Sequence, residues 1–223
     1  VRNVYAGETE YYAGVAEKGI GDLIRHHGVA SGCLNGDEHL AGNNPSQGSE
    51  LCSVVEYMFS LQALLESFGN TAYADQMERL AYNALPATIT EDFMAHQYLQ
   101  QANQIMADDT ERPWFNNSKE SNMFGLEPNF GCCTANMHQG WPKFVNSLWY
   151  KEDSNTVVSM CFAPNTLKTR IAGEETVIEL CTEYPFRDTL SYQIQKAPKK
   201  AITVKIRVPN WCEDFTIACA GAE

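Results

Sequence analysis

The 223-residue chain reads as two regions in series, a helical one followed by a β-rich one. Three observations predict this fold class. Apolar residues recur at the helical period from Leu51 to Phe68 and again after Thr134. From Asn155 onward the composition changes to short runs of Val, Ile, Thr and Tyr, with turn signals at roughly ten-residue spacing, as in an antiparallel β-sandwich. Between the two patterns, Lys151 to Asn155 is polar and charged. The expected division is therefore a helical domain over 1–151 and a β domain over 152–223.

The first expected helix runs from Glu8 to His27, with Tyr11, Val15, Ile20, Leu23 and Ile24 forming an imperfect apolar face. Gly14, Gly19 and Gly21 predict a break in it, and Gly28 a stop, with His26 and His27 near the negative end of the dipole. Ala30 to Ser49 is rich in Gly, Asn and Asp and reads as a loop. Ser49 is the expected cap of a helix to Phe68, ended by Gly69-Asn70, and a second helix follows from Thr71 to Leu85. So short a connection makes the two antiparallel. Ala87 to Gln104 is a polar and aromatic patch, read either as the lining of a sugar pocket or as a hydrogen-bonded turn. Asp108 to Asn129 reads as loop, and Thr134 to Tyr150 as a helix with Met137, Trp141, Phe144, Val145 and Leu148 on one side.

The expected strands are Val157–Phe162, Thr176–Thr182, Thr189–Ile194, Ile202–Val208 and Phe215–Ala218. Val204, Ile206 and Val208 alternate with Thr203, Lys205 and Arg207, which predicts the valine and isoleucine side as the buried one. A formal net charge of −12 argues against nucleic acid and anionic membranes as partners, and no apolar run is long enough to span a bilayer. The chain opens on Val1 in sequence that already looks structured, as a piece of a longer protein would. Among eight cysteines, Cys161, Cys181 and Cys219 lie in strand-like runs and are expected to be buried, while Cys33 and Cys212 carry no assignment. Several free thiols point to a reducing compartment such as the cytoplasm.

The remaining three cysteines carry the chemistry. Cys132 and Cys133 are adjacent, follow Gly131 and precede a helix, where the dipole and unpaired N–H groups favour a negative sulfur. Glu50 and Cys52 lie about eighty residues upstream, at the start of another helix. Together the four would form an oxygen and three-sulfur ligand set of the kind zinc accepts. Each alone has a plainer reading, a first-turn carboxylate or a small core residue. Asp37-Glu38 sits in the glycine-rich loop ahead of that helix, either as a charged tip or as a functional carboxylate.

The segments Gly36-Asp37-Glu38-His39-Leu40-Ala41-Gly42, Pro45-Ser46-Gln47-Gly48-Ser49-Glu50-Leu51-Cys52 and Gly131-Cys132-Cys133-Thr134-Ala135-Asn136 resemble glycoside hydrolase family 127, the β-L-arabinofuranosidase-type enzymes. Thr182-Glu183-Tyr184-Pro185-Phe186 and Arg207-Val208-Pro209-Asn210-Trp211-Cys212 resemble the β-sandwich that follows the catalytic domain there. The resemblance implies the C-terminal part of an (α/α)6 barrel leading into that sandwich. It implies Zn2+ held by Glu50, Cys52, Cys132 and Cys133, with Cys132 as nucleophile and Glu38 as acid/base. Tyr98 and His138 are candidate pocket residues, and the implied partner is a carbohydrate, a plant-derived L-arabinofuranoside or related sugar. Two other classes stay open: a non-catalytic carbohydrate-binding fragment with a structural zinc, and an epimerase on a similar barrel.

Overall fold

The computed structural model describes residues 9–111, 118–125 and 130–219. Glu8, Asn129 and parts of the expected 108–129 loop lie outside the described residues. The chain is helical first and largely β afterwards. Helix α1 (Thr9–His27) is continuous despite its three glycines. A Cβ at Gly14, Gly19 or Gly21 would meet nothing, so these positions are open surface and the helix pays only their entropy. Ile20 and Leu23 pack on the core, whereas Tyr11, Val15 and Ile24 are exposed.

Helix α2 (Leu51–Phe68) is the axis of the helical region and buries Leu51, Val54, Val55, Met58, Leu61 and Leu65, the period expected. Its end is Gly69, left-handed at φ 70°, whose N–H returns to the Leu65 carbonyl. Its start differs from expectation. Glu50 rather than Ser49 is the N-cap residue, because Gly48–Glu50 forms a short strand, β1, and the Ser49 hydroxyl donates to Asn35 instead. Helix α3 (Ala72–Arg79) continues through a π-helical turn at Leu80–Ala84 before Pro86. Two short antiparallel ladders follow: β2 (His96–Gln97) on β4 (Phe124–Gly125), and β3 (Leu99–Gln101) on β1.

The helix expected from Thr134 to Tyr150 is divided. Helix α4 (Gly131–Met137) includes the cysteine pair, and α5 (Gly140–Asn146) restarts two residues later. Pro142 explains the break, since it cannot donate to a carbonyl one turn back. Trp149 and Tyr150 belong to a strand, β5 (Trp149–Lys151). No helix among the described residues is long and apolar enough to cross a membrane.

The β region contains β6 (Thr156–Ser159), β7 (Asn165–Ile171), β8 (Glu174–Thr182), β9 (Leu190–Lys196) and β10 (Thr203–Ile206). Strands β7, β8 and β9 form an antiparallel meander, and β6 pairs antiparallel with β5. One pairing departs from the antiparallel expectation: β10 runs parallel to β6, with Thr203 opposite Thr156. The connection from β6 to β10 contains the whole meander, a crossover long enough for parallel neighbours where a hairpin would not be. Val157, Ile171 and Ile178 form a small second core under Trp149 and Tyr192.

Four sequence expectations are corrected here. Cys181 is exposed because it alternates with buried Leu180 and Ile178 on β8. Phe215–Ala218 forms no strand, and Cys219 beyond it is exposed. The alternation holds at 203–205, where Val204 is half-buried between exposed Thr203 and Lys205, and inverts at 206–208: Ile206 and Val208 are exposed and Arg207 is buried, its guanidinium drawn under the sheet by carboxylates of α3.

Candidate metal centre

The start of α2 and the start of α4 come together, and with them four donor atoms. The ligand atoms of Glu50, Cys52, Cys132 and Cys133 all lie within 4.8 Å of one another. The Cys52 and Cys133 Sγ atoms are 3.4 Å apart, and Cys132 Sγ is 3.9 Å from Glu50 Oε1. Two sulfurs bound about 2.3 Å from one tetrahedral ion would sit about 3.8 Å apart. The set fits a cation of zinc's size without large movement. Cys133 is fully buried, Glu50 and Cys52 are partly buried, and Cys132 is exposed, so the group is closed below and open above.

Local structure fixes Glu50 and Cys133 in place. Glu50 pairs opposite Leu99 in the β1–β3 ladder, and the Leu51 N–H is bound by the Tyr98 carbonyl at 2.9 Å. The Cys133 N–H donates to Phe130 O at 3.0 Å, closing the first turn of α4. The Tyr98 ring is buried and stacks on Phe130, centroids 4.0 Å apart. Tyr98 therefore sits as a floor joining the two halves. His138 closes α4 and is exposed.

The loop carrying Glu38 is pinned over the same place. Gly36 N–H donates to Gly48 O and Glu50 N–H to Gly36 O, so the loop is stitched to β1 on both sides. Gly36 also bridges to Leu40, leaving Glu38 at the tip of a tight turn with φ 68°. That left-handed backbone is uncommon for a residue with a Cβ. Here it brings the Glu38 turn up to the Glu50 carboxylate, with the two carboxyl groups near enough to repel. Glu38 itself is exposed.

The electrostatics follow from four acids with no basic side chain among their main influences. Burial, then the Cys52 sulfur, pushes the Glu50 carboxyl up to about 8. Cys52 falls to about 5 because of its hydrogen bond with the Cys133 thiol, helped by Asn136. Cys133 is driven far up by the same bond and by burial, and burial raises Cys132. With protons alone to share, the group holds one thiolate among protonated neighbours. A divalent cation would hold all four as anions, and that donor chemistry is what the site fits.

His96 and Asn136 were not singled out by sequence reasoning. His96 is buried on β2, and its Nε2 lies 2.8 Å from the Thr134 hydroxyl, one residue past the cysteine pair. Only its place in the polar 96–103 patch hinted at this. Asn136 stands one turn after Cys132 in the quoted motif, a spacing that brings its amide back toward the sulfurs.

No curated protein sequence matches the chain. Solved structures share its fold, among them the three that follow. A GH127 β-L-arabinofuranosidase from Geobacillus stearothermophilus T6 is 19% identical with TM-score 0.69, covering 86% of this chain and 31% of that one. A GH127 β-arabinofuranosidase is 20% identical with TM-score 0.66, covering 85% and 29%. A protein described as a glycoside hydrolase is 18% identical with TM-score 0.71, covering 87% and 35%. The chain thus spans about a third of the length of these structures. The model of the GH127 β-L-arabinofuranosidase catalytic domain matches residues 5–146, and that of the GH127 middle domain matches residues 156–223. By those two matches, which take in both its helical and its β regions, the chain belongs to the GH127 β-L-arabinofuranosidase family.

Proposed function

We propose that this chain carries the zinc centre of a retaining glycoside hydrolase that acts on β-L-arabinofuranosides or a related plant-derived sugar. The observation that supports it most is the convergence of Glu50, Cys52, Cys132 and Cys133 within 4.8 Å, with the Glu38 turn beside Glu50. Zinc, when bound by these four, would keep the sulfurs as thiolates at neutral pH. Residues 1–151 are read as part of an (α/α)6 catalytic barrel and 152–223 as the start of a β-sandwich.

The chain's own groups then divide the work. Cys132 is the exposed sulfur of the set, so it is the one a sugar can reach. Its Sγ attacks the anomeric carbon as the glycosidic C–O bond breaks, and Glu38 gives its proton to the departing oxygen. The carbon is inverted and held as a thioglycosyl-enzyme. Glu38, now a carboxylate, removes a proton from water as that oxygen displaces Sγ, and the second inversion returns the original configuration. The exposed tip of the Glu38 turn can meet both the leaving oxygen and the water. Cys133 is too deeply buried to compete as nucleophile.

The test is turnover of an aryl β-L-arabinofuranoside by the full-length protein. Cys132→Ser and Glu38→Gln should each lower kcat by about a hundredfold or more, and Glu38→Gln should keep its zinc. Near-normal rates in either variant would remove that residue's role. Sugar binding without turnover by the unmodified protein would favour a binding fragment with a structural zinc.

A further inference from the structure

A second concavity shares no residue with the metal centre. A cavity of about 860 Å³ lies between the end of α3 and the segments 184–188 and 210–211. That volume falls in the range of small-molecule sites. Its walls combine two exposed aromatic rings, Phe186 and Trp211, with Arg79, Asn83, Asp188 and Asn210. Phe186 is 88% exposed and Trp211 52%, a high degree for rings that border a cleft.

The lining is close to electrically neutral. Glu78 is turned to Arg207, and Arg187 lies 3.6 Å from Glu183. Arg79 spends a donor on the Ala30 carbonyl at 2.8 Å. Neither a phosphate nor a polycation is matched by such a wall, and the chain's net charge of −12 disfavours anions further. The floor is rigid. Tyr184 donates to Glu78 at 2.8 Å and packs edge-on against Tyr82 and Phe162, while the Arg207 guanidinium lies 5.8 Å from the Trp211 ring. Two exposed aromatic rings over a held floor, beside amide and carboxylate groups, suit a ring with one apolar face and several hydroxyls.

We infer that this groove is a second carbohydrate-binding site, which holds a neutral oligosaccharide chain by stacking on Trp211 and Phe186. It goes beyond the hydrolase reading, since the groove can hold a glycan whether or not Cys132 attacks one.

The experiment uses the full-length protein carrying Cys132→Ala, so that nothing is turned over, titrated with arabinotetraose and xylotetraose. Calorimetry and Trp fluorescence give the affinity. Saturable binding of at least one of them is expected, weakened about tenfold or more by Trp211→Ala and by Phe186→Ala. Phe186 is almost wholly exposed, so its truncation leaves the fold intact. With Cys132 restored, both variants should hydrolyse a small aryl glycoside at the unmodified rate. Absence of saturable binding, binding untouched by both variants, or Trp211 shielded from acrylamide quenching before sugar is added would each overturn the inference. Binding that follows the two aromatics in a protein with no aryl glycosidase activity would leave the groove standing and remove the hydrolase reading instead.

Discussion

Two clusters of acidic side chains are anchored on the helical region, and they resolve their repulsion differently. At Asp75 and Glu78 on α3 the chain supplies its own cation. Arg207 pairs with both, reaching Glu78 at 2.5 Å, and its Nε donates to the Met160 carbonyl. Glu78 also accepts the Phe162 N–H at 2.7 Å and the Tyr184 hydroxyl at 2.8 Å. At Glu50, Cys52, Cys132 and Cys133, no salt bridge among the described residues involves Glu50, and the four groups act chiefly on one another. The first cluster is complete within the chain and joins α3 to the β region. The second is a set of donors that only protons or an outside cation can neutralise. Burial of acids is therefore no sign of a metal; burial of acids with no basic partner is.

Exchanging the perturbations between the two clusters sharpens this contrast. Arg207→Ala should have the largest effect on stability, about 3–5 kcal/mol in urea unfolding, because it leaves two carboxylates buried without a counter-charge. Zinc content per folded molecule should not change. A cost under about 1 kcal/mol, or zinc lost from folded protein, would show that the clusters are not independent. Chelation is the converse experiment. With free zinc at about a hundredfold over Kd, its removal should cost about 3 kcal/mol in the unmodified protein. The Cys133→Ala variant should show almost no response to the chelator, and an equal response would break the comparison.

The smallest expected effect concerns pH. Burial raises the Glu78 carboxyl above its ordinary value, outweighing Arg207. A carboxyl raised in the fold contributes stability that is full below the unfolded carboxylate range and is lost as pH rises through the folded value. The unmodified protein should therefore lose stability relative to Glu78→Gln as pH rises from about 4, at no more than about 1.4 kcal/mol per pH unit. Parallel stability–pH curves for the two proteins would contradict this.

The Glu50, Cys52, Cys132 and Cys133 cluster was the more legible of the two because each half of it is marked locally in the sequence. Adjacent cysteines, and a glutamate two residues from a third, are unusual in sequence, and each falls at the start of an apolar-periodic segment. Helix α2 was readable for the same reason, since its buried face is a regular pattern over eighteen residues. What escaped depended on partners far along the chain. Arg207 sits in an alternating run that put it on the solvent side, yet carboxylates 132 and 129 residues away turn it inward. The Ser49 cap failed because a nearby amide and a strand ladder competed for the same residue. The parallel β6–β10 pair was invisible since strand direction follows from the crossover and not from alternation.

The most direct test of the account is metal analysis of the full-length protein together with zinc X-ray absorption. About one zinc per chain is expected, with three sulfurs near 2.3 Å and one oxygen near 2.0 Å, falling below half an equivalent in Cys133→Ala. Less than half an equivalent in the unmodified protein, or the same zinc content in Cys133→Ala, would contradict it.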